Sequence, residues 1–271
     1  MDRYVVIGNP VAHSLSPQIH ARFARETGEA LDYERLLVPV GEFAQHARAF
    51  FEGGGRGANV TLPFKVDAFT FAGTASERAR LAGAANFLVS RDGTVWADNT
   101  DGAGLVADIT RNLGIELHGR NVLLLGAGGA ARGIVAPLLE QQLARLAIAN
   151  RTESRAVELA DHFRHVGPVD ACGLDAIEEG PFDIIVNATS TSTHGEALEL
   201  PDALFGSATL AYDLAYGAAA RPFMESARSR GARACDGLGM LVEQAAESFR
   251  LWRGKRPATA RVLAELRAGT A

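Results

Sequence analysis

The sequence predicts a two-domain α/β protein, and three observations predict it. A short apolar run at residues 121–125 leads at once into Gly126-Ala-Gly-Gly-Ala-Ala131 and then an alanine- and leucine-rich stretch over 132–143, the order strand, glycine turn, helix. Strand-like and helix-like segments alternate on both sides of that unit, as open α/β sheets require. Polar and basic side chains gather where strands run out, where α/β folds bind ligands. The class is therefore an N-terminal open α/β domain followed by a Rossmann-type domain. The boundaries fall at 1–101, joined by the C-terminal helices 240–271, and at 102–239, with a cleft expected between the two.

The elements follow in chain order. Residues 4–7 read as a strand, followed by a loop rich in Pro, Ser and His. Residues 17–26 read as a helix, with Ser16 as N-cap and Pro17 at the first helical position. A strand over 32–38 and a helix over 43–51 come next, the helix broken by Gly53-Gly-Gly55. A strand over 58–61 ends at Leu62-Pro63, and a helical stretch lies around 76–81. Residues 86–90 and 94–97 flank Arg91-Asp92-Gly93, a hairpin signal. This first half is expected to form an open, largely parallel sheet. A helix over 101–113, which Asp101 is placed to cap, leads into the strand at 121–125. Residues 146–149, 183–187, 211–214 and 233–235 read as further strands. Helices over 241–252 and 259–267 close the chain.

The glycine unit carries a specific chemistry. Gly126 permits a tight turn, and Gly128 lets backbone N–H groups approach a pyrophosphate. Ala131, small like the usual third glycine, lets the helix pack close to the strand. An NAD enzyme usually places an acid at the end of the next strand for the ribose 2′-OH. This chain has Asn150-Arg151-Thr152 there, with Arg155 one helical turn on. A carboxylate would repel a 2′-phosphate, whereas arginine forks bind one. The residues alone favour NADP(H).

Composition bounds the rest. The chain has 271 residues, a net charge of −5, 47% hydrophobic and 22% charged residues. That balance offers no global basic field for nucleic acid. Cys172 and Cys235 lie far apart and read as small reduced core residues. The seven histidines form no metal-ligand pattern, so no metal site is expected. The N-terminus lacks a signal peptide's cleavage region, and no apolar run reaches ~18 residues. A cytoplasmic protein with no membrane or nucleic-acid partner is expected.

Asn59-Val-Thr-Leu-Pro-Phe-Lys65 is odd as a piece of structure, because polar and basic residues cluster at its strand end. Asn86 and Asn99-Thr-Asp-Gly102 fall near segment ends too, and Ser14-Leu-Ser16 sits in the loop after the first strand. So many short polar groups suit a polyhydroxylated, anionic ligand. Ala82-Gly-Ala-Ala-Asn86, Asn187-Ala-Thr-Ser190, Tyr212-Asp-Leu-Ala-Tyr216 and Gly237-Leu-Gly-Met-Leu-Val-Glu-Gln244 complete a series of motifs. With the glycine turn, this series resembles the shikimate dehydrogenases over nearly the whole chain.

The resemblance implies NADP-linked interconversion of 3-dehydroshikimate and shikimate in aromatic amino-acid biosynthesis. It implies Lys65 and Asp101 as the catalytic pair. Ser14, Ser16, Asn59, Thr61, Asn86, Tyr216 and Gln244 would join them in holding substrate, the two serines facing its carboxylate. For the cofactor it implies Glu77, Gly126, Ala127, Gly128, Gly129, Ala130, Asn150, Arg151, Thr152, Arg155, Thr189, Leu214, Gly237 and Met240. It further implies last helices that pack back on the first domain, bringing Gln244 to the cleft. The expected assembly is a monomer or homodimer. The chain departs from the family pattern at Ala85 and Phe87, at Thr191-Ser-Thr-His194 and at Tyr216-Gly-Ala-Ala-Ala-Arg221. Two alternatives stay open: the same chemistry on quinate or an aminoshikimate, and a non-catalytic NADP-binding regulator.

Overall fold

β1 (Asp2–Gly8) opens the chain, and its apolar run Tyr4–Ile7 is buried. In the computed structural model, which describes residues 1–177, 180–191 and 198–269, the chain divides into two units. One comprises Met1–Gly104 with Leu241–Ala271, the other Leu105–Met240. Residues 192–194 of the departure after Asn187 lie outside the described residues.

The first unit is built on a six-stranded sheet of order β2-β1-β3-β5-β6-β4. Its other strands are β2 (Leu31–Leu37), β3 (Gly57–Val60), β4 (Thr74–Ala75), β5 (Phe87–Arg91) and β6 (Thr94–Asp98). β1 pairs in parallel with β2 and β3, but β5 runs antiparallel to both β3 and β6. The expectation of a largely parallel sheet is corrected to a mixed one. The cause is the hairpin at Asp92 and Gly93, whose positive φ values of 50° and 78° suit a two-residue reversal. The reversal matters for function. It brings the start of β5 to the end of the sheet where β3 and β6 finish, so Asn86 lies beside Val60 and Asp98 through backbone hydrogen bonds of 2.8 and 3.2 Å.

Helix α1 (Ser16–Thr27) buries Ile19, His20, Phe23 and Ala24, a one-sided spacing. Ser16 is the first helical residue and Leu15 the cap, without a side-chain bond. Ser16 is thus not the N-cap, because its hydroxyl pairs with Ser14 instead. α2 (Phe43–Glu52) buries Phe43, Ala47 and Phe50 in the core around Val5, Ile7, Ala58 and Leu88. α3 (Lys65–Phe71), absent from the sequence reading, buries Ala68 there, just after Phe64. Ser76 caps α4 (Glu77–Ala82) by accepting from the Ala79 N–H at 3.1 Å.

His20 is wholly buried against Tyr33, ring centroids 4.2 Å apart and nearly parallel. Neither ring nitrogen has a hydrogen-bond partner among the described residues. Burial pushes its pKa down to about 3, against a smaller opposing influence of the nearby Asn59 amide. Between the ordinary value of 6.5 and about 3, only the unfolded chain takes up this proton. His20 therefore makes stability fall as pH falls through that window, by up to about 1.4 kcal/mol per pH unit. His20→Phe is expected to flatten this slope in urea unfolding measured from pH 7.5 down to 5. An unchanged slope would mean that the folded chain takes up the His20 proton as readily as the unfolded one.

The second unit carries a parallel sheet of order β12-β11-β10-β7-β8-β9. Its strands are β7 (Asn121–Leu125), β8 (Arg145–Asn150), β9 (Val169–Gly173), β10 (Ile184–Asn187), β11 (Leu210–Asp213) and β12 (Arg233–Cys235). Numbered within the unit this is the order 3-2-1-4-5-6 of doubly wound nucleotide-binding folds, which reverses between β7 and β10. β7 and β10 are almost wholly buried, which explains their unbroken apolar runs. Flanking helices are α6 (Gly129–Leu139), α7 (Glu153–Phe163) and α8 (Arg221–Ser229).

α5 (Asp101–Ala107) does not continue to 113 as an α-helix. It gives way to a π-helical turn at Asp108–Asn112. Buried Asp108 accepts from Tyr212 Oη at 2.6 Å and from Asn112 Nδ2 at 2.8 Å, polar tethers that no hydrophobic periodicity reveals. α9 (Leu238–Arg253) and α10 (Ala260–Gly269) end the described chain. Cys172 and Cys235 form no disulfide among the described residues and are only half-buried, Cys172 packing against the edge of the second unit's core. Among the described residues no helix is long and apolar enough to cross a membrane.

Candidate active site

Lys65 and Asp101 meet within the first unit. Lys65 stands at the start of α3, not at a strand end, and its Nζ donates to Asp101 Oδ2 at 2.6 Å. Side-chain exposures of 13% and 7% make this a largely desolvated pair. Such a pair needs its remaining hydrogen-bonding capacity used, or burial costs more than the attraction returns. Asp101 meets that need: Oδ1 accepts from Asn86 Nδ2 at 2.8 Å. Asp101 does not cap its helix. The Asn99 side chain accepts the Asp101 N–H at 3.1 Å, leaving both carboxylate oxygens for Lys65 and Asn86. Lys65 has three N–H donors, so two remain for a ligand beyond the one held by Asp101.

The turn that holds Asp101 is itself pinned. Asn99 donates from Nδ2 to Ala84 O, and its N–H donates to Asp98 Oδ1. Arg78 grips both oxygens of buried Asp98, at 2.6 and 2.8 Å. The Thr100 N–H donates to Asn86 Oδ1 at 2.7 Å.

The other expected substrate residues divide. Asn86 and Gln244 are buried beside the pair and touch each other, with Asn86 Nδ2 3.2 Å from Gln244 Oε1. Ser14 and Ser16 share a hydrogen bond of 3.2 Å, and the half-buried Thr61 side chain follows β3. Asn59 is different. Its Oδ1 accepts from Tyr33 Oη, and its Nδ2 donates to Asn86 O and Ser248 Oγ, so both amide protons are already used. Tyr216 belongs to the second unit and is half-buried. Glu77 is exposed in the first turn of α4.

Sequence reasoning missed Arg35 on β2, which donates two hydrogen bonds to Ser14 O. It also missed Tyr33 and Ser248. Arg35 reads in sequence as a solvent-facing strand residue, and Ser248 as a small residue within a helix; neither carries a motif.

In the second unit the glycine turn fits a dinucleotide. Gly126 has φ +105°, and a Cβ there would lie 3.1 Å from the Ala188 backbone, at the reversal between β7 and β10. Gly128 caps α6 with no side-chain bond, and no acid occupies the first turn. The N–H groups of Gly129 and Ala130 open that turn, next to Ala127, and suit an anion. A Cβ on Gly128 would meet nothing within 4 Å, so the approach over it is open. Beyond β8, Arg151 and Arg155 are exposed with no ion-pair partner among the described residues. Asn150 Nδ2 holds the intervening turn by donating to Thr152 O at 2.8 Å.

The remaining expected cofactor residues line neighbouring strand ends. The Thr189 hydroxyl donates to Asn187 Oδ1, and the Leu214 N–H bonds Asn187 O. Gly237 has no room for a side chain, since a Cβ would lie 2.4 Å from Leu214 O. Buried Met240 donates its N–H to Tyr212 Oη.

A doubly wound nucleotide fold joined in one chain to an α/β unit bearing a buried lysine–aspartate pair defines a nicotinamide-nucleotide-linked oxidoreductase. Three family models match the chain. They are the shikimate dehydrogenase substrate binding domain at residues 6–88, the shikimate/quinate 5-dehydrogenase at 108–198 and the shikimate 5′-dehydrogenase C-terminal domain at 237–267. The shikimate dehydrogenase (NADP(+)) of Acidovorax sp. (strain JS42) is 54% identical over 274 residues, covering 100% of this chain and 97% of that one. The Ael1 enzyme of Pseudomonas putida superposes with a TM-score of 0.91 at 46% identity, over 98% of both chains. The shikimate 5-dehydrogenase of Thermus thermophilus, solved with NADP(H) and shikimate, gives 0.85 at 33% identity, over 99% of both. The chain belongs to the shikimate dehydrogenase family.

Proposed function

We propose that this chain catalyses the reversible, NADP(H)-linked reduction of 3-dehydroshikimate to shikimate, a step of aromatic amino-acid biosynthesis. The observation that carries the reading is the buried Lys65–Asp101 pair, held by Asn86 within hydrogen-bond reach of Gln244. It stands in a chain related over its full length to NADP-dependent shikimate dehydrogenases.

Bound NADPH supplies the hydride for the carbonyl carbon. The chain's residues do the rest. The Lys65 ammonium lies against the carbonyl oxygen, stabilises its growing charge and gives it a proton from Nζ. Solvent then restores that proton, and oxidation runs the same path in reverse. Asp101 Oδ2 fixes the direction of Nζ. Asn86 keeps the carboxylate from turning away, Thr61 and Gln244 hold ring hydroxyls, and Tyr216 is a further expected substrate contact. Ser14 and Ser16 take the substrate carboxylate, on a loop that Arg35 clamps through Ser14 O. Asn59, its amide protons already engaged, supports the site without touching substrate. Gly126, Gly128 and the start of α6 receive the pyrophosphate, and Arg151, Thr152 and Arg155 the 2′-phosphate. Thr189, Leu214, Gly237 and Met240 serve the nicotinamide half, and Glu77 is a further expected cofactor contact. A cytoplasmic monomer or homodimer completes the reading.

Ser16→Ala is expected to raise KM for shikimate about tenfold or more and to spare the Kd for NADP. One hydrogen bond to a charged group contributes roughly 1.5–3 kcal/mol. Weakened NADP binding with unchanged KM would assign the loop to the other ligand. The reading as a whole is tested by mixing enzyme, 3-dehydroshikimate and NADPH and following the NADPH absorbance. Loss of absorbance with shikimate as product is expected. A chain that binds NADPH without consuming it would be the regulator instead.

A further inference from the structure

Three buried amides around the site have orientations fixed by partners that can play only one role. Asn59 Nδ2 faces the Asn86 carbonyl at 3.2 Å, so its Oδ1 must face Tyr33. Asn86 Oδ1 faces the Thr100 N–H, so its Nδ2 must face Asp101. Gln244 Nε2 donates to Leu241 O at 3.0 Å, so its Oε1 must face Thr100 and Asn86. Two hydroxyls connect these amides. Ser248 Oγ, fully buried on α9, accepts from Asn59 Nδ2 at 3.0 Å and lies 3.2 Å from Thr100 Oγ1. Thr100 Oγ1 lies 3.3 Å from Gln244 Oε1.

Each hydroxyl has one proton to give. Ser248 already accepts from Asn59, so its own proton is available to Thr100. Thr100 accepts from Asn86 Nδ2 at 2.9 Å, and Asn86 Oδ1 already holds the Thr100 N–H. The Thr100 hydroxyl lies 3.2 Å from Asn86 Oδ1 and 3.3 Å from Gln244 Oε1; because Asn86 Oδ1 is already served by the Thr100 N–H, we assign the hydroxyl proton to Gln244 Oε1. We propose that Tyr33, Asn59, Ser248 and Thr100 form a one-way hydrogen-bond chain that orients the Gln244 amide, and that Ser248 is thereby a positioning residue for substrate recognition. The chain pulls Oε1 inward. Nε2, with one proton on Leu241 O, then presents its second as a donor to a substrate hydroxyl. Without it, Oε1 loses its Thr100 donor, and only the Leu241 and Asn86 contacts remain to hold the amide in the orientation that offers Nε2 to the ligand. The inference rests on the proposed role of Gln244 as a substrate contact.

Ser248→Ala removes the middle link without touching substrate or cofactor. The expected result is a KM for shikimate about 3- to 10-fold higher, the range of one neutral hydrogen bond, with kcat and the KM for NADP little changed. Ser248→Thr, which keeps the hydroxyl, is expected to restore KM. The decisive measurement is a double-mutant cycle with Gln244→Ala. Ser248→Ala should add nothing to KM once the amide is gone. The same KM factor in both backgrounds, or an unchanged KM in Ser248→Ala, overturns the inference while leaving the reaction intact. A Gln244→Ala enzyme with the wild-type KM overturns Gln244 as a contact and the inference with it. A wild type that does not turn over shikimate overturns the functional reading itself.

Discussion

Lys65→Ala is expected to lose about 10²–10⁴ in kcat, the range of a positioned general acid, with little change in the Kd for NADP. The side chain is 13% exposed and spends one N–H on Asp101, leaving two donors and a transferable proton that alanine cannot replace. Losing the charge also leaves Asp101 as a buried carboxylate whose remaining side-chain donor among the described residues is Asn86 Nδ2. Some loss of stability should accompany the kinetic defect, and Tm should be read beside kcat. Asp101→Asn is expected to be milder. An amide at 101 keeps one oxygen, which serves either Lys65 or Asn86 but not both, so Lys65 loses aim and keeps its proton. Comparable kcat in wild type and Lys65→Ala would remove Lys65 from the chemistry. Equal severity in Asp101→Asn would make the carboxylate a partner in the proton transfer.

The second large effect concerns the cofactor. Arg151→Ala is expected to weaken NADP binding tenfold or more and barely to alter NAD. Each charge-assisted hydrogen bond to a phosphate contributes about 1.5–3 kcal/mol, and NAD offers no phosphate for it. The arginine is exposed and unpaired among the described residues, so its removal breaks no ion pair seen there. Asn150→Asp combined with Arg151→Ala should approach NAD preference, because it adds a carboxylate where the ribose 2′-OH would lie. It also removes the Asn150 Nδ2 bond to Thr152 O, so some loss in both cofactors is expected from a looser turn. KM values for both cofactors should be compared at fixed, modest ionic strength, since salt screens exposed charges. Equal loss for NADP and NAD on Arg151→Ala would show that the arginine supports the fold or the adenine.

The nucleotide-binding unit was legible because its signals are local. An apolar run, a glycine turn and a helix occupy consecutive residues; β7 and β8 form where the pattern places them, while α6 starts at Gly129 and ends at Leu139, ahead of the 132–143 stretch. α3 was not legible. Val66, Thr70 and two phenylalanines give residues 65–71 weak helical propensity, and burial of Phe64 and Ala68 decides the matter. The π-helical turn after Ala107 carries no local signal, and the Asp108–Tyr212 bond that tethers its first residue spans 104 residues.

The site shows the same division. Resemblance to a family singles out Lys65, Asp101, Asn86 and Gln244, and the structure brings the four within hydrogen-bond reach of one another. What periodicity could not give was the frame around them. Asn59 looked like a ligand residue in sequence, yet its amide protons are spent on Asn86 and Ser248. Ser248 lies 189 residues from Asn59 and 148 from Thr100, separations at which a lone serine carries no signal. Ser16 was misread as a cap because cap and ligand residues share one chemistry, a short side-chain oxygen at the start of a helix.

Service of shikimate with NADP through Lys65 is measured by kcat/KM for shikimate and for quinate, each with NADP and with NAD, in wild type and Lys65→Ala. Shikimate with NADP is expected to exceed the other three pairs in wild type, by roughly 10²-fold or more over shikimate with NAD if two phosphate bonds operate. In Lys65→Ala this activity is expected to collapse. Quinate as the better substrate, NAD serving as well as NADP, or turnover that survives without Lys65 would rule out that role.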